Sequence, residues 1–144
     1  MPDLTLPLSH AHFIWYCAWL SIPSTLYAYS STQTAHFAIV PASVFTTSIL
    51  YWRNPITNSW QRKLDIIVVL NGLTYQTYHL YSSNADIDHS TYTFFVLLSL
   101  VLYVISNYLM KNGHTWPATY THACIHLFGN IANIALYKQY QNIL

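Results

Sequence analysis

Residues 121–133, THACIHLFGNIAN, hold the groups best suited to chemistry: His122 and His126, one turn apart on a helix. Steps of three and four residues align His122, His126, Gly129 or Asn130, Asn133 and Tyr137 on one face, against Ile, Leu, Ala and Phe on the other. Two imidazoles so spaced can share one metal ion. The same stripe equally suits plain hydrogen bonding between membrane helices. Asp65 is the one acid expected inside an apolar segment. A carboxylate there is costly, so it either pairs with a nearby base (Arg53, Arg62 or Lys63) or takes part in chemistry.

The elements that must position these groups follow from composition. The chain has 144 residues, 53% hydrophobic, 17% aromatic and only 6% charged, with a mean hydropathy of +0.28. A soluble domain carries about 25% charged residues. So little charge leaves too little polar surface to keep a compact chain in water, and residues 1–144 are expected to form one membrane domain, with membrane lipid around it. The net charge of +1 supplies no basic footprint, which excludes nucleic acid as a partner. Cys17 and Cys124 both fall in apolar runs and are expected to act as small packing residues. The start, Met1-Pro2-Asp3, lacks a basic n-region, so the first apolar stretch is expected to remain as an anchor.

Five apolar segments follow one another: residues 13–29, 35–52, 64–81, 92–110 and 117–137. At roughly 17 to 21 residues, each suffices for a hydrocarbon layer about 30 Å thick. The expected fold is all-α, a multi-pass transmembrane bundle of about five spans, with kinks at Pro23 and Pro41. The segment 92–110 is the least polar and is expected to be a lipid-facing scaffold. Alternation puts Arg53, Arg62, Lys63 and Lys111 on one side, and Lys138 with the acidic loop at Asp86 and Asp88 on the other. The N-terminus is then cytosolic. Ser48, Asp65, His122 and His126 all fall near the basic side, so separate helices bring a hydroxyl, a carboxylate and paired imidazoles to one leaflet. His79 and His36 fall in the other leaflet, where His79 is expected to bond with Tyr75 or with the acidic loop. His10 and His12 precede the first segment as solvated loop residues.

These segments resemble the CREST superfamily of membrane hydrolases, which includes alkaline ceramidases, adiponectin-type receptors and the phospholipase-like GPI-remodelling proteins. The shared pattern is Ser-x-x-x-His ending one helix, an Asp opening the next, and His-x-x-x-His on the last. In this chain the elements read Ser48-Ile49-Leu50-Tyr51-Trp52, then Asp65, then His122-Ala123-Cys124-Ile125-His126-Leu127. The resemblance implies a zinc-dependent hydrolase of a lipid amide or ester. His122 and His126 are then metal ligands, Asp65 is the catalytic acid/base and Ser48 is a site hydroxyl. Two departures stand out. The family has seven spans, and Trp52 stands where its first zinc-binding histidine belongs. A third ligand then has to come from His114, on the same side, or from Asp65. Without it the resemblance implies an inactive relative. The alternative class is a non-catalytic accessory or structural subunit, with protein partners in the membrane and the polar stripes used for packing.

Overall fold

The computed structural model describes residues 3–83 and 89–142, so the acidic loop at Asp86 and Asp88 lies outside the described residues. Among those described, all regular structure is helical. The elements are α1 (Leu8–Ala18), α2 (Ser21–Tyr29), a 3-10 turn (Ala35–Ala38) leading into α3 (Ile39–Trp52), α4 (Trp60–Ser82), α5 (Ser90–Lys111) and α6 (Thr115–Gln141). The five apolar segments are therefore helical, the first as the α1–α2 pair. The last helix runs four residues past Tyr137, to Gln141.

Proline placement sets the irregularities. Pro23 and Pro41 are each the third residue of a helix, α2 and α3 respectively. A proline there offers no N–H to the carbonyl four residues back and its ring crowds that carbonyl, so the distortion falls before the proline. Ahead of Pro23 the chain breaks at Trp19-Leu20, where the Ile22 amide donates to the Trp19 carbonyl at 3.0 Å. Ahead of Pro41 it tightens into the 3-10 turn. The kinks expected at the prolines thus lie about a turn earlier. Other ends follow ordinary capping: Ser59 Oγ accepts from the Arg62 amide at 3.3 Å to start α4. Gly113, at φ +77°, reverses the chain after α5.

α5 lies along α6 and α4 along α3, while α2 bridges α3 and α6. α1 packs beside α6 in the same direction, with His10 on Trp116 (ring centroids 4.1 Å) and Phe13 on Tyr120 (5.5 Å). His10 is therefore buried in a helix contact and not solvated, a placement set by tertiary packing. α3 and α4 cross closely at Gly72, where an added Cβ would sit 2.7 Å from Val40 Cγ1. α4 and α5 are tied near their shared loop by Thr77–Tyr92 and Tyr81–Thr93 hydroxyl contacts, both 3.3 Å. The main core sits at that end and includes Phe37, Leu80, Tyr92, Leu136 and Tyr137. At the opposite end an N-terminal strap runs beside the α3–α4 turn. Thr5 donates to the Pro55 carbonyl and Thr57 to the Asp3 carbonyl, each at 2.8 Å, and Leu6 packs with Tyr51 and Trp52.

Two helical runs, Ala35–Trp52 and Ser90–Lys111, are long and apolar enough to cross a membrane, with mean hydropathies of 1.2 and 2.0. α5 buries little of itself in the molecule and turns Phe94, Leu97, Val104 and Tyr108 outward.

Candidate functional site

Thr47 and Ser48, consecutive on α3, both donate to Asp65 Oδ1 at 2.8 Å. Their hydroxyls meet the carboxylate because α4 begins beside the last turns of α3. Charge-assisted bonds of this kind are stronger than neutral ones. Of the two readings of Asp65, pairing with a base is not what holds Oδ1: two hydroxyls of a neighbouring helix do. Thr47 had no assigned role, although its place next to Ser48 is the signal that could have given it one.

His122 and His126 lie on α6 with ring centroids 5.7 Å apart. His126 is only 8% exposed. Among the described residues His126 Nε2 and His122 Nδ1 have no hydrogen-bond partner. Trp52 packs edge-on to His122 at 4.7 Å, and its Nε1 is likewise buried and unpartnered among the described residues. Orphaned buried groups cost stability; of the five among the described residues, the others being His10 Nε2 and His89 Nδ1, these three gather on neighbouring turns of α3 and α6.

The carboxylate and the two imidazole side chains border a cavity of about 270 Å³ between α3, α4, α5 and α6. Ser48, Asp65, His122 and His126 line it at the basic side, Gln76, Asn130 and Asn133 line it farther along, and Val69, Leu73 and Val96 are among its apolar walls. Leu70 and Leu100 line it too, yet Leu70 is 54% exposed and Leu100 42%. The cavity therefore opens sideways between α4 and α5, beyond the point where Thr77 and Tyr92 close them. A second chamber of about 30 Å³ adjoins it, sharing Asp65, Ile66, Tyr103 and His122.

The rest of the α6 stripe divides. Asn130 locks α6 to α2: its Oδ1 accepts from Ser24 Oγ, and its Nδ2 donates to the His126 carbonyl at 2.7 Å and to Ser21 Oγ at 3.3 Å. Tyr137 accepts from Gln76 Nε2 at 2.9 Å in the core. His79 contacts Tyr75 and His36 at ring-centroid distances of 4.5 and 5.5 Å, apart from the site as expected. His114 does not join the imidazole pair. It is an exposed residue preceding the first turn of α6, about two turns before His122, and it lines neither cavity.

The donor set decides what metal chemistry fits. A catalytic zinc takes three protein ligands and a water. Among the described residues no group of three or more His, Cys, Asp or Glu side chains is placed to hold a metal ion. The indole of Trp52 donates a hydrogen bond and cannot coordinate. The residues present therefore do not fit the three-ligand zinc that the resemblance implies.

No family model matches the chain, and neither a curated protein nor a solved structure is detectably similar to it.

Proposed function

We propose that this chain is a five-span, multi-pass membrane protein, its N-terminus cytosolic, that takes one acyl chain of a membrane lipid into the cavity. The amide or ester group of that lipid lies against Ser48, Asp65, His122 and His126. On this reading α1 with α2 forms the first span and the 3-10 turn with α3 the second. α4 and α6, of 23 and 27 residues, rise about 35 and 40 Å at 1.5 Å per residue, enough to cross.

One observation carries the proposal: a largely apolar cavity, open sideways, that is lined by His122 and His126 beside a hydrogen-bonded carboxylate. Its volume of about 270 Å³ is near the lower end of small-molecule pockets, about 300–1,000 Å³, and suits one chain better than two. A lipid carbonyl accepts a hydrogen bond from an imidazole N–H, and an amide N–H or hydroxyl donates to the free oxygen of Asp65. Hydrolysis by metal polarisation needs a complete ligand set, so the proposed role is lipid binding by a relative of the CREST type that has lost turnover. The test is photolabelling with a diazirine-bearing fatty-acyl amide in nanodiscs. Crosslinks should map to α4, α5 and α6 residues that face the cavity, and Leu70→Trp, which blocks the opening, should abolish them. Label spread over the outer face of α5 and unaffected by Leu70→Trp would refute the reading.

The outward α5 face of Phe94, Leu97, Val104 and Tyr108 favours a second reading, an accessory subunit that docks on a neighbouring membrane protein. Particle mass in mild detergent separates the two: a monomer with bound lipid favours the first.

A further inference from the structure

We propose that Cys17 and Cys124 form a thiol pair that closes to a disulfide between α1 and α6 when an organic hydroperoxide reaches it. The register of the two helices carries the inference. α1 and α6 bring Cα atoms within 8 Å of each other, and Phe13 meets Tyr120 edge-on at a ring-centroid distance of 5.5 Å. Cys17 follows Phe13 by four residues, and Cys124 follows Tyr120 by four. One further turn along both parallel helices therefore sets the two thiols opposite each other. The contact of His10 with Trp116 comes about a turn earlier on each helix. Beyond the break at Trp19-Leu20, Asn130 donates to Ser21 Oγ, so the pair is bracketed by contacts on both sides. The thiols lie within electrostatic reach of each other. A disulfide spans Cα separations of about 4.4–6.8 Å, which facing residues attain when helices pack about 8–10 Å apart.

Both cysteines are free and half-buried. Phe13 and Tyr120 beside them are exposed, so the seam between α1 and α6 opens on an apolar outer surface that an apolar oxidant can reach. One thiol attacks the O–O bond of the hydroperoxide, giving a sulfenic acid and releasing an alcohol. The second thiol then attacks that sulfur, forms the S–S bond and releases water. Two thiols are oxidised, one hydroperoxide is reduced, and nothing else is consumed. Cys124 lies between His122 and His126 in sequence but is not part of the cavity lining. Closing the bond ties to α1 the stretch of α6 that carries both imidazoles, and so restricts rotation of α6 at the site. The inference does not rest on lipid binding, since neither thiol lines the larger cavity.

Intact mass of the wild-type full chain tests this without any variant having to fold. The protein in nanodiscs is treated with cumene hydroperoxide, denatured and exposed to N-ethylmaleimide. The product should be a monomer two hydrogens lighter that takes up no maleimide, and reduction should restore uptake at both cysteines. Trypsin should leave residues 1–53 joined to residues 112–138, a link that reductant splits. A treated chain that still takes up two maleimides overturns the proposal. So does oxygen added to single sulfurs, or a link formed only between two copies of the chain. Cys124→Ala combined with Ile125→Cys moves the thiol about 100° around α6 and should lose the link. A link that forms as readily in that variant also overturns the proposal, because register then plays no part. Failed photolabelling of the larger cavity leaves this result untouched.

Discussion

The two ends of the helix bundle use polar residues in opposite ways. At the end near the α4–α5 loop most are satisfied, His89 Nδ1 being the exception among the described residues. Gln76 donates to Tyr137 at 2.9 Å, Tyr140 to the His79 carbonyl at 2.8 Å and Thr34 to the Ala28 carbonyl at 2.7 Å, around the aromatic core of Phe37 and Tyr137. At the basic end a carboxylate is held by two hydroxyls, but His122, His126 and Trp52 keep buried nitrogens without partners among the described residues. The first arrangement spends its hydrogen bonds on joining helices. The second withholds them, which fits a surface meant to meet something else. Stability and binding should therefore separate along the length of the molecule.

That separation can be broken from either side. Phe37→Ala empties the anchored end and should cost about 3–5 kcal/mol, read by SDS-induced unfolding in mixed micelles. Gly72→Ala forces a Cβ against Val40 and should cost about 1–3 kcal/mol by overpacking. Adding Val40→Ala should recover most of that loss, because the clash is with the valine side chain alone. Gln76→Leu leaves the Tyr137 hydroxyl without its donor and should cost about 1 kcal/mol. His126→Leu removes an orphan and fills its place with hydrocarbon, so unfolding should move least, or toward greater stability. The same variant should lose the photolabelling that Tyr140→Phe, which removes the bond to the His79 carbonyl outside the cavity, retains. Equal stability losses at Gln76 and His126 would erase the distinction.

Much of this is legible in the sequence. The positions of the helices follow from runs of apolar residues, and the meeting of Ser48 with Asp65 follows from depth alone: one ends a helix at the basic side and the other begins the next there. The α6 stripe was legible from its spacing. Register across helices was not. The fact that Asn130 serves α2 whereas His122 faces α3 depends on how α6 is rotated, which periodicity leaves open. His10 reads as a loop residue because nothing nearby in sequence announces Trp116 as its partner. Proline positions show that distortion will occur, and hydrogen-bond geometry moves it upstream. The third metal ligand is open to question from the sequence, since Trp52 stands in its place and only His114 or Asp65 is offered instead. Only the packing put Trp52 against His122 and left His114 at the surface.

α6 touches α1, α2 and α5 and carries both imidazoles, yet it follows all of them in the chain. During synthesis, α1 and α2 thus emerge long before the helix they pack on, with Ser21, Ser24 and His10 still facing whatever surrounds them. On the proposed five-span reading, biogenesis then depends on insertion machinery that shelters polar, half-finished helices until the final one arrives. Ribosome stalling before Thr115 should yield a product that such machinery retains and quality control removes.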